Sequence, residues 1–175
     1  MMNALEQLLH RRSIRRYKAE LPERSVIEQI TEAGTYAACG RNMQSGIIVA
    51  VTNRALRDRI SAMNNKIYGG EEGFDPFYGA PAILIVLGKK DSPHRVYDGS
   101  LIMGNMMLAA DALGLGTCWI HRAKEEFETE EGKQILRDLG ITEEYEGIGH
   151  LALGYPNCPH PKARPRKENY VYFAE

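Results

Sequence analysis

The sequence has no excess of charge of either sign. Its 22 lysines and arginines are balanced by 23 aspartates and glutamates, which gives a formal net charge of −1. Because nucleic acids and anionic membranes attract broadly basic surfaces, the sequence predicts neither kind of partner. A basic cluster on this neutral background favours a small anionic ligand over a polymer.

Cysteine is also scarce. The number of cysteines is odd, and no pair has CxxC or zinc-finger spacing among Cys39, Cys118 and Cys158. The first residues are too polar for a signal peptide, and the longest apolar stretch, residues 101–115, is broken by polar side chains. We therefore expect a cytoplasmic protein without a membrane-spanning segment.

Several catalytic signatures are missing from the sequence. It contains no GxGxxG after a strand, no GxxxxGK[ST] and no GxSxG. The five histidines are scattered, and none has the i, i+4 spacing of a helical metal site, so no metal is expected. Cys118 lies in an apolar strand, where a structural role is expected because a reactive thiol requires an exposed, electropositive setting.

Helical and strand-like patterns alternate along the 175 residues, which predicts one α/β or α+β domain over residues 1–175 with a covered sheet. Buried strands are predicted at 47–51, 82–87, 117–120 and 149–155. Helices are predicted at 4–9, from Pro22 to a stop at Gly40, from a cap at Asn53, at 97–113 and at 126–139.

Three segments need a separate interpretation. Residues 64–79 lack periodicity and are predicted to form a substrate lid or binding loop. Residues 156–175 are predicted to be an extended C-terminal arm, in which residues 170–173 form either an edge strand or the arm itself. The helix at 97–113 is apolar almost all round, so it is either a central core helix or one covered by a second subunit.

The most distinctive feature is the basic strip at residues 11–17, with the sequence RRSIRRY. Arginine offers a planar fork of donors that suits phosphate. An isolated basic run is most often a solvated loop. Here, however, a second basic cluster (Lys162, Arg164, Arg166 and Lys167) lies at the opposite end of the chain. Two such clusters in a neutral chain are explained if the N-terminal strip and the C-terminal cluster bind the same phosphate.

Five motifs in order resemble the flavin-dependent nitroreductase family over nearly the whole chain. They are RRSIRRY at 11–17, GRNMQ at 40–44, GAPAI at 79–83, GLGTCWI at 114–120, and LALGYP at 151–156 with PRK at 165–167. The chain departs from the family pattern where Ser45 and Gly46 replace a frequent Pro-Trp, and where His121 and Arg122 replace a frequent Gly.

The resemblance implies an α+β fold with a central, mostly antiparallel sheet flanked by helices. It also implies a homodimer with interlocked subunits and tightly bound FMN at the interface, with NAD(P)H as co-substrate. The residues that it implies for FMN binding are Arg11, Arg12, Ser13, Arg15, Asn42, Gln44, Ile120, His121, Arg122, Arg164, Arg166 and Lys167. No side chain is expected to be catalytic, because the flavin performs the redox chemistry.

Within this set, the resemblance implies four separate placements. Arg11 and Ser13 would hold the phosphate together with basic residues of the C-terminal cluster, and Arg15 would lie at the pyrimidine edge of the flavin. Asn42 and Gln44 would come from the partner subunit. The backbone of residues 120–122 would approach the flavin N5.

The predicted activity is an FMN-dependent NAD(P)H oxidoreductase with a ping-pong cycle. Hydride would pass through the flavin N5 to nitroaromatics, quinones or similar electron-poor acceptors. Two alternatives remain open: a dehalogenase-like or flavin-fragmenting relative, and a non-enzymatic module that binds anions or nucleic acid. The sequence leaves open the physiological acceptor and the choice between NADH and NADPH.

Overall fold

A computed structural model describes residues 3–175, and in these residues four strands form one antiparallel sheet of order β1-β2-β4-β3. Residues 1 and 2, which the predicted domain includes, lie outside the described residues. The strands are β1 Gly46–Val51, β2 Ala82–Lys89, β3 Gly116–Ile120 and β4 Tyr145–Gly154. The helices are α1 Ala4–His10, α2 Arg24–Thr35, α3 Arg54–Tyr68, α4 Arg95–Ala112, α5 Ala123–Glu128 and α6 Glu130–Asp138. The predicted α+β class and antiparallel sheet are confirmed.

Both faces of the sheet are covered, as the near-continuous apolar run of β2 indicates. Alternate side chains of a strand point to opposite faces. Ile83, Ile85 and Leu87 belong to a core with side chains of α3, α5 and α6. Leu84 and Val86 belong to a second core, with side chains of α2 and α4. The sheet is therefore the middle layer of three.

Two predicted helix boundaries in the N-terminal half of the chain are wrong. The prediction treated residues 64–68 as irregular, but α3 continues through Tyr68 and ends where Gly69 adopts a left-handed φ of 71°. Glycine adopts this conformation without a steric penalty. Helix α2 ends at Thr35 rather than at Gly40, which instead begins a 3-10 turn, Gly40–Asn42.

Two predictions in the C-terminal half also need correction. The helix predicted at 126–139 is two helices, because Thr129 is extended and caps α6 by accepting a hydrogen bond from the Gly132 N–H. In the described chain, residues 170–173 form no strand; they are exposed and extend the C-terminal segment. Of the two interpretations offered for these residues, the arm is the one that agrees with the structure.

Helix α4 has one buried and one exposed apolar face. Met103 and Met106 are fully buried against the sheet, whereas Tyr97 is 72% exposed and Leu101 is 50% exposed. In the described chain, none of the helices combines the length and apolar character needed to cross a bilayer. The single chain thus leaves an apolar surface of α4 uncovered.

Candidate active site

The basic strip, residues 11–17, lies beside the edge strand β3. The Ile14 N–H donates to the Thr117 carbonyl at 2.9 Å, and Ser13 forms a parallel bridge with Thr117. Ile14 and Tyr17 are buried, and the Tyr17 hydroxyl donates to the Ile14 carbonyl at 2.6 Å. Burial of the two apolar side chains fixes the strip and leaves its polar side chains at the surface.

The two basic clusters meet in one groove of about 340 Å³, as the sequence predicts. The groove is lined by Arg11, Arg12, Ser13, Arg15, Pro161, Lys162, Arg164 and Arg166. Six of these eight lining residues are basic and none is acidic. Such a concentration of cationic donors suits a phosphate, since guanidinium groups can bind its oxygens in pairs.

Arg11 and Arg12 differ in how far their donors are already used. Arg12 Nη1 donates to the carbonyls of Leu9 and Arg11, both at 2.7 Å, so this side chain closes the C-terminal end of α1. Arg11 Nη1 is buried and has no hydrogen-bond partner within the described chain. Arg12 Nε is likewise buried without a partner, but Arg12 is held to the end of α1 through Nη1. Because a buried donor without a partner is costly and Arg11 has no such attachment, Arg11 is the better candidate for an anionic ligand.

Lys167 does not belong to the lining of the groove. Its ammonium lies 5.2 Å from the centre of the Tyr170 ring, and Lys162 lines the groove instead. Lys162 lies in the predicted basic cluster but was not among the predicted FMN-binding residues. The sequence correctly predicts that the C-terminal basic cluster lies at the groove, but it does not show which of the cluster's cations line it.

The segment after β3 is held in a defined conformation by Asn64 of α3. The buried Asn64 side chain donates to the His121 carbonyl and accepts from Arg122 Nε, both at 2.9 Å. Arg122 has a left-handed φ of 79°, and its guanidinium lies 4.7 Å from the centre of the Tyr68 ring. A non-glycine residue in this conformation is strained and persists only where its surroundings enforce it. No motif or spacing in the sequence pointed to Asn64.

The region predicted as a lid is fixed at its base by Asp75. The carboxylate of Asp75 accepts hydrogen bonds from the buried Arg57, from the Ser61 hydroxyl at 2.7 Å, and from the N–H groups of Phe77 and Gly79. Burial alone would raise the pKa of Asp75, but these hydrogen bonds outweigh it and lower the pKa below its ordinary value. The C-terminal half of this region is therefore anchored.

The lid region also reaches the basic strip. The Arg15 guanidinium lies 5.9 Å from the centre of the Tyr78 ring. Tyr78 itself has a φ of 57°, next to Gly79 with a φ of 73°. Tyr68 and Tyr78 thus each lie beside one of the predicted cofactor-binding arginines, Arg122 and Arg15, respectively.

The Asn42 and Gln44 loop lies away from the basic groove of its own chain. Arg41, Asn42 and Gln44 all have φ near 50°, and the loop is tied to α4 because the Gly40 N–H donates to Asp98 Oδ1 at 2.9 Å. Asn42 and Gln44 are exposed, and Gln44 lines a different groove, between α2 and α4. Non-glycine residues in this conformation often cluster at functional sites.

Beneath the segment after β3 lies a buried pair that sequence reasoning missed. His150 Nε2 of β4 lies 2.6 Å from Glu126 Oε2 of α5, and both side chains have no exposed surface. Phe77 packs against the same imidazole with a ring-centre separation of 5.2 Å. The signal was a histidine within the apolar strand of residues 149–155. Since Glu126 follows closely after Arg122, the pair fastens α5 under the candidate site.

The thiol of Cys118, on the strand beside the basic strip, is not an activated nucleophile. Cys39, Cys118 and Cys158 are all free. Burial raises the pKa of the Cys118 thiol, although the neighbouring Arg15 opposes this effect. A thiol with a raised pKa is largely protonated and a poor nucleophile. The structure thus agrees with a structural role for Cys118.

Comparisons with known proteins agree with this geometry. The family model described as "Nitroreductase family" matches residues 8–155, and the chain belongs to this family. A relative from Methanothermobacter thermautotrophicus, provisionally named NADH dehydrogenase/NAD(P)H nitroreductase, is 30% identical over 89% of this chain and 78% of its own length.

Two solved structures are similar over their full length. A nitroreductase with bound FMN from Bacteroides fragilis has a TM-score of 0.87 at 28% identity, covering 99% of this chain and 100% of its own. A nitroreductase with bound FMN from Desulfitobacterium hafniense has a TM-score of 0.86 at 25% identity, with the same coverage. The family and the fold expected from the sequence motifs are confirmed.

Proposed function

We propose that this protein is an FMN-dependent NAD(P)H oxidoreductase that reduces nitroaromatics, quinones or similar electron-poor compounds. The observation that carries the proposal is the convergence of two distant basic segments beside a buried arginine donor that has no partner in the described chain. Its support from outside the chain is the FMN bound by two similar nitroreductases.

The phosphate end of the cofactor fits the basic groove. Arg11 would donate through its unpaired Nη1, and Ser13, Arg164 and Arg166 line the same space. Lys162 would add a further cation. Arg12 mainly caps the C-terminal end of α1, and Lys167 would act from outside the groove. The phosphate of FMN would thus neutralise a cluster whose charges otherwise repel one another.

The flavin end fits the far end of β3. Ser13 pairs with Thr117 near the start of this strand, and Ile120 lies at its end, about 10 Å away at the usual rise per residue. A cofactor with a phosphate at one end and a redox-active ring at the other would lie along this distance. Arg15 would face the pyrimidine edge, and the backbone of residues 120–122 would face the N5 region.

We further propose a homodimer in which each site is completed by the partner. Tyr97 and Leu101 leave an apolar face of α4 exposed, and Gly104 on this helix has open space where a Cβ would be. Large exposed apolar patches favour association. The exposed residues 170–173 would form the arm that reaches the partner, and Asn42 and Gln44 would enter the partner's site.

The proposed division of labour leaves the redox chemistry to FMN, which would accept two electrons and a proton from NAD(P)H and pass them on. The chain contributes binding, orientation and charge. Arg15 supplies a cation where negative charge collects, and Asn64 fixes the backbone of residues 121 and 122. Residues 69–79 would cover the flavin ring. Electron donor and electron acceptor would occupy the same place over the ring in turn, which gives ping-pong kinetics.

The three free thiols suit a reducing cytoplasm.

The decisive experiment is anaerobic mixing of the FMN-loaded protein with NADH or NADPH, followed by a panel of acceptors. We expect one nicotinamide to bleach the flavin absorbance, and a nitroaromatic or quinone to restore it. Steady-state rates at varied concentrations of both substrates should give parallel double-reciprocal lines.

Two results would overturn the proposal. The first is a purified protein that is colourless and remains so after incubation with FMN. The second is a flavin-loaded protein that neither nicotinamide reduces. Turnover of halogenated aromatics without nitroaromatic turnover would instead favour the dehalogenase-like alternative.

A further inference from the structure

Three residues from distant parts of the sequence meet at the C-terminal end of α1. They are His10 at the end of α1, Asp111 near the end of α4, and His160 in the C-terminal segment. Their nearest ligand atoms all lie within 4.8 Å of one another. His10 Nδ1 lies 3.0 Å from Asp111 Oδ2, and the rings of His10 and His160 stack with a centre separation of 4.1 Å.

This set of groups has the composition of a metal site. Two imidazoles and one carboxylate bind divalent transition metals, and zinc in particular takes three protein ligands with a water in the fourth position. Ligands about 2.1 Å from a tetrahedral ion lie roughly 3.4 Å apart. The His10 to Asp111 separation is already close to this value, and His160 is exposed.

The carboxylate is held in position by a second group. Gln7, one turn before His10 on α1, donates from Nε2 to Asp111 Oδ2. Side chains outside the ligand set that orient the ligands typically improve metal affinity. The Asp111 side chain is only 12% exposed, so its carboxylate is directed towards this cluster rather than into solvent.

A simple hydrogen bond between His10 and Asp111 would explain only part of this arrangement. It gives no reason for a second imidazole to stack on the first. A metal ion would take a lone pair from each ring and offset the carboxylate charge.

We propose that His10, Asp111 and His160 form a binding site for one divalent transition-metal ion, with zinc as the representative ion. The site fastens the C-terminal segment to α1 and α4, close to Lys162, Arg164 and Arg166. It is structural, is distinct from the proposed flavin site, and holds whether or not the chain binds FMN. Bound metal stabilises the fold by mass action, because the unfolded chain does not bring the three ligands together.

The test uses untagged, chelator-treated full-length protein titrated with ZnCl2 by calorimetry. We expect one Zn²⁺ per chain and a rise in melting temperature, with no binding of Mg²⁺, which prefers oxygen ligands. His160→Gln should weaken zinc binding by more than tenfold, and Asp111→Asn should do the same. Gln7→Ala should weaken it by about tenfold, as expected for loss of an orienting group.

His94→Gln is the matched control, because His94 is a partly buried histidine outside the cluster. This variant should bind zinc like the wild type. Absence of stoichiometric zinc binding would overturn the proposal, and so would unchanged affinity in His160→Gln. Since His160 is exposed, His160→Gln should fold normally, and a circular dichroism spectrum tests this. Visible absorption bands of bound Co²⁺ that vanish in His160→Gln would support histidine coordination directly.

Discussion

Arg122 Nε donates to Asn64 Oδ1 at 2.9 Å, and Asn64 Nδ2 donates in turn to the His121 carbonyl at 2.9 Å. One buried amide from α3 thus satisfies both the backbone and the side chain of the segment after β3. The left-handed conformation of Arg122 depends on these bonds, because a residue with a Cβ does not adopt it without enforcement. Asn64 is therefore a positioning residue for the proposed flavin site.

Replacement of Asn64 tests this role. We expect Asn64→Ala to lower the free energy of unfolding by about 2–3 kcal/mol, since it leaves buried polar groups without partners. We also expect slower reduction of the bound flavin, because the backbone of residues 121 and 122 would no longer be fixed. Asn65→Ala, one residue along the same helix, should cost less than about 1 kcal/mol. Equal effects of both variants on the reduction rate would contradict the assignment.

Asp75 should make stability depend on pH. Burial would raise its pKa, but the hydrogen bonds from Arg57, Ser61 and the Phe77 N–H outweigh burial and lower the pKa in the folded state. A lowered folded-state pKa contributes stability that is fully present above the unfolded value of about 4 and is lost as the pH falls through the folded-state pKa. Asp75→Asn should cost about 3 kcal/mol at neutral pH, because it leaves the buried Arg57 with only the half-exposed Asp58 as a charged partner.

Denaturant unfolding at several pH values measures this effect. The difference between the wild type and Asp75→Asn should narrow below about pH 4. Asp58→Asn is the control, because Asp58 also contacts Arg57 but its side chain is 46% exposed; it should cost less than about 1 kcal/mol. A difference that stays constant down to acid pH would argue against a charged Asp75 in the folded state.

Arg15 should tune the redox reaction rather than cofactor binding. As a cation beside the proposed pyrimidine edge, it would stabilise the negative charge of the reduced flavin. Arg15→Ala should lower the flavin midpoint potential and slow reduction by NAD(P)H at least about tenfold, or roughly 1.4 kcal/mol. Arg16→Ala, an exposed neighbour outside the groove, should change neither. Normal potential and turnover in Arg15→Ala would refute the role.

Arg11 should contribute mainly to affinity. A charge-assisted hydrogen bond contributes about 1.5–3 kcal/mol, so Arg11→Ala should raise the FMN dissociation constant by about ten- to a hundredfold. The loss should be smaller at high salt. Arg24→Ala removes an equal charge from a side chain that is 91% exposed and paired with Glu28, and FMN affinity should not change. Fluorescence titration with FMN measures the dissociation constant of each variant. If Arg11→Ala and Arg24→Ala lost the same amount of FMN affinity, the cause would be the overall charge rather than a contact made by Arg11.

The exposed face of α4 should hold the proposed dimer together. A charge at Leu101 would be buried in the interface, so Leu101→Glu should shift the protein towards monomer and weaken FMN binding in parallel. Leu139→Glu places the same charge at a similarly exposed leucine that ends α6. It should leave the sedimentation coefficient unchanged. A wild-type protein that sediments as a monomer at micromolar concentration would contradict the dimer.

The sequence by itself determined most of the fold. The apolar runs of residues 47–51 and 82–87 predicted strands that are found as part of β1 and β2, because burial on both faces leaves little choice of pattern. At the start of α1, Asn3 and Glu6 exchange the two hydrogen bonds of a capping box, an arrangement that their spacing in the sequence is enough to specify because the bonds are local. The RRSIRRY strip and the C-terminal basic cluster together predicted the groove that the structure shows.

Only the tertiary structure decided which side chains share a site. It showed that Lys162 rather than Lys167 faces the groove, that Asn64 fixes residues 121 and 122, and that His150 and Glu126 pair in the core. It also brought His10 and His160 together, although 149 residues lie between them in the sequence. Sequence patterns report local periodicity and motif spacing, and they indicated that the two basic segments meet. Which individual side chains touch depends on how the distant segments pack, and that is decided by the tertiary structure.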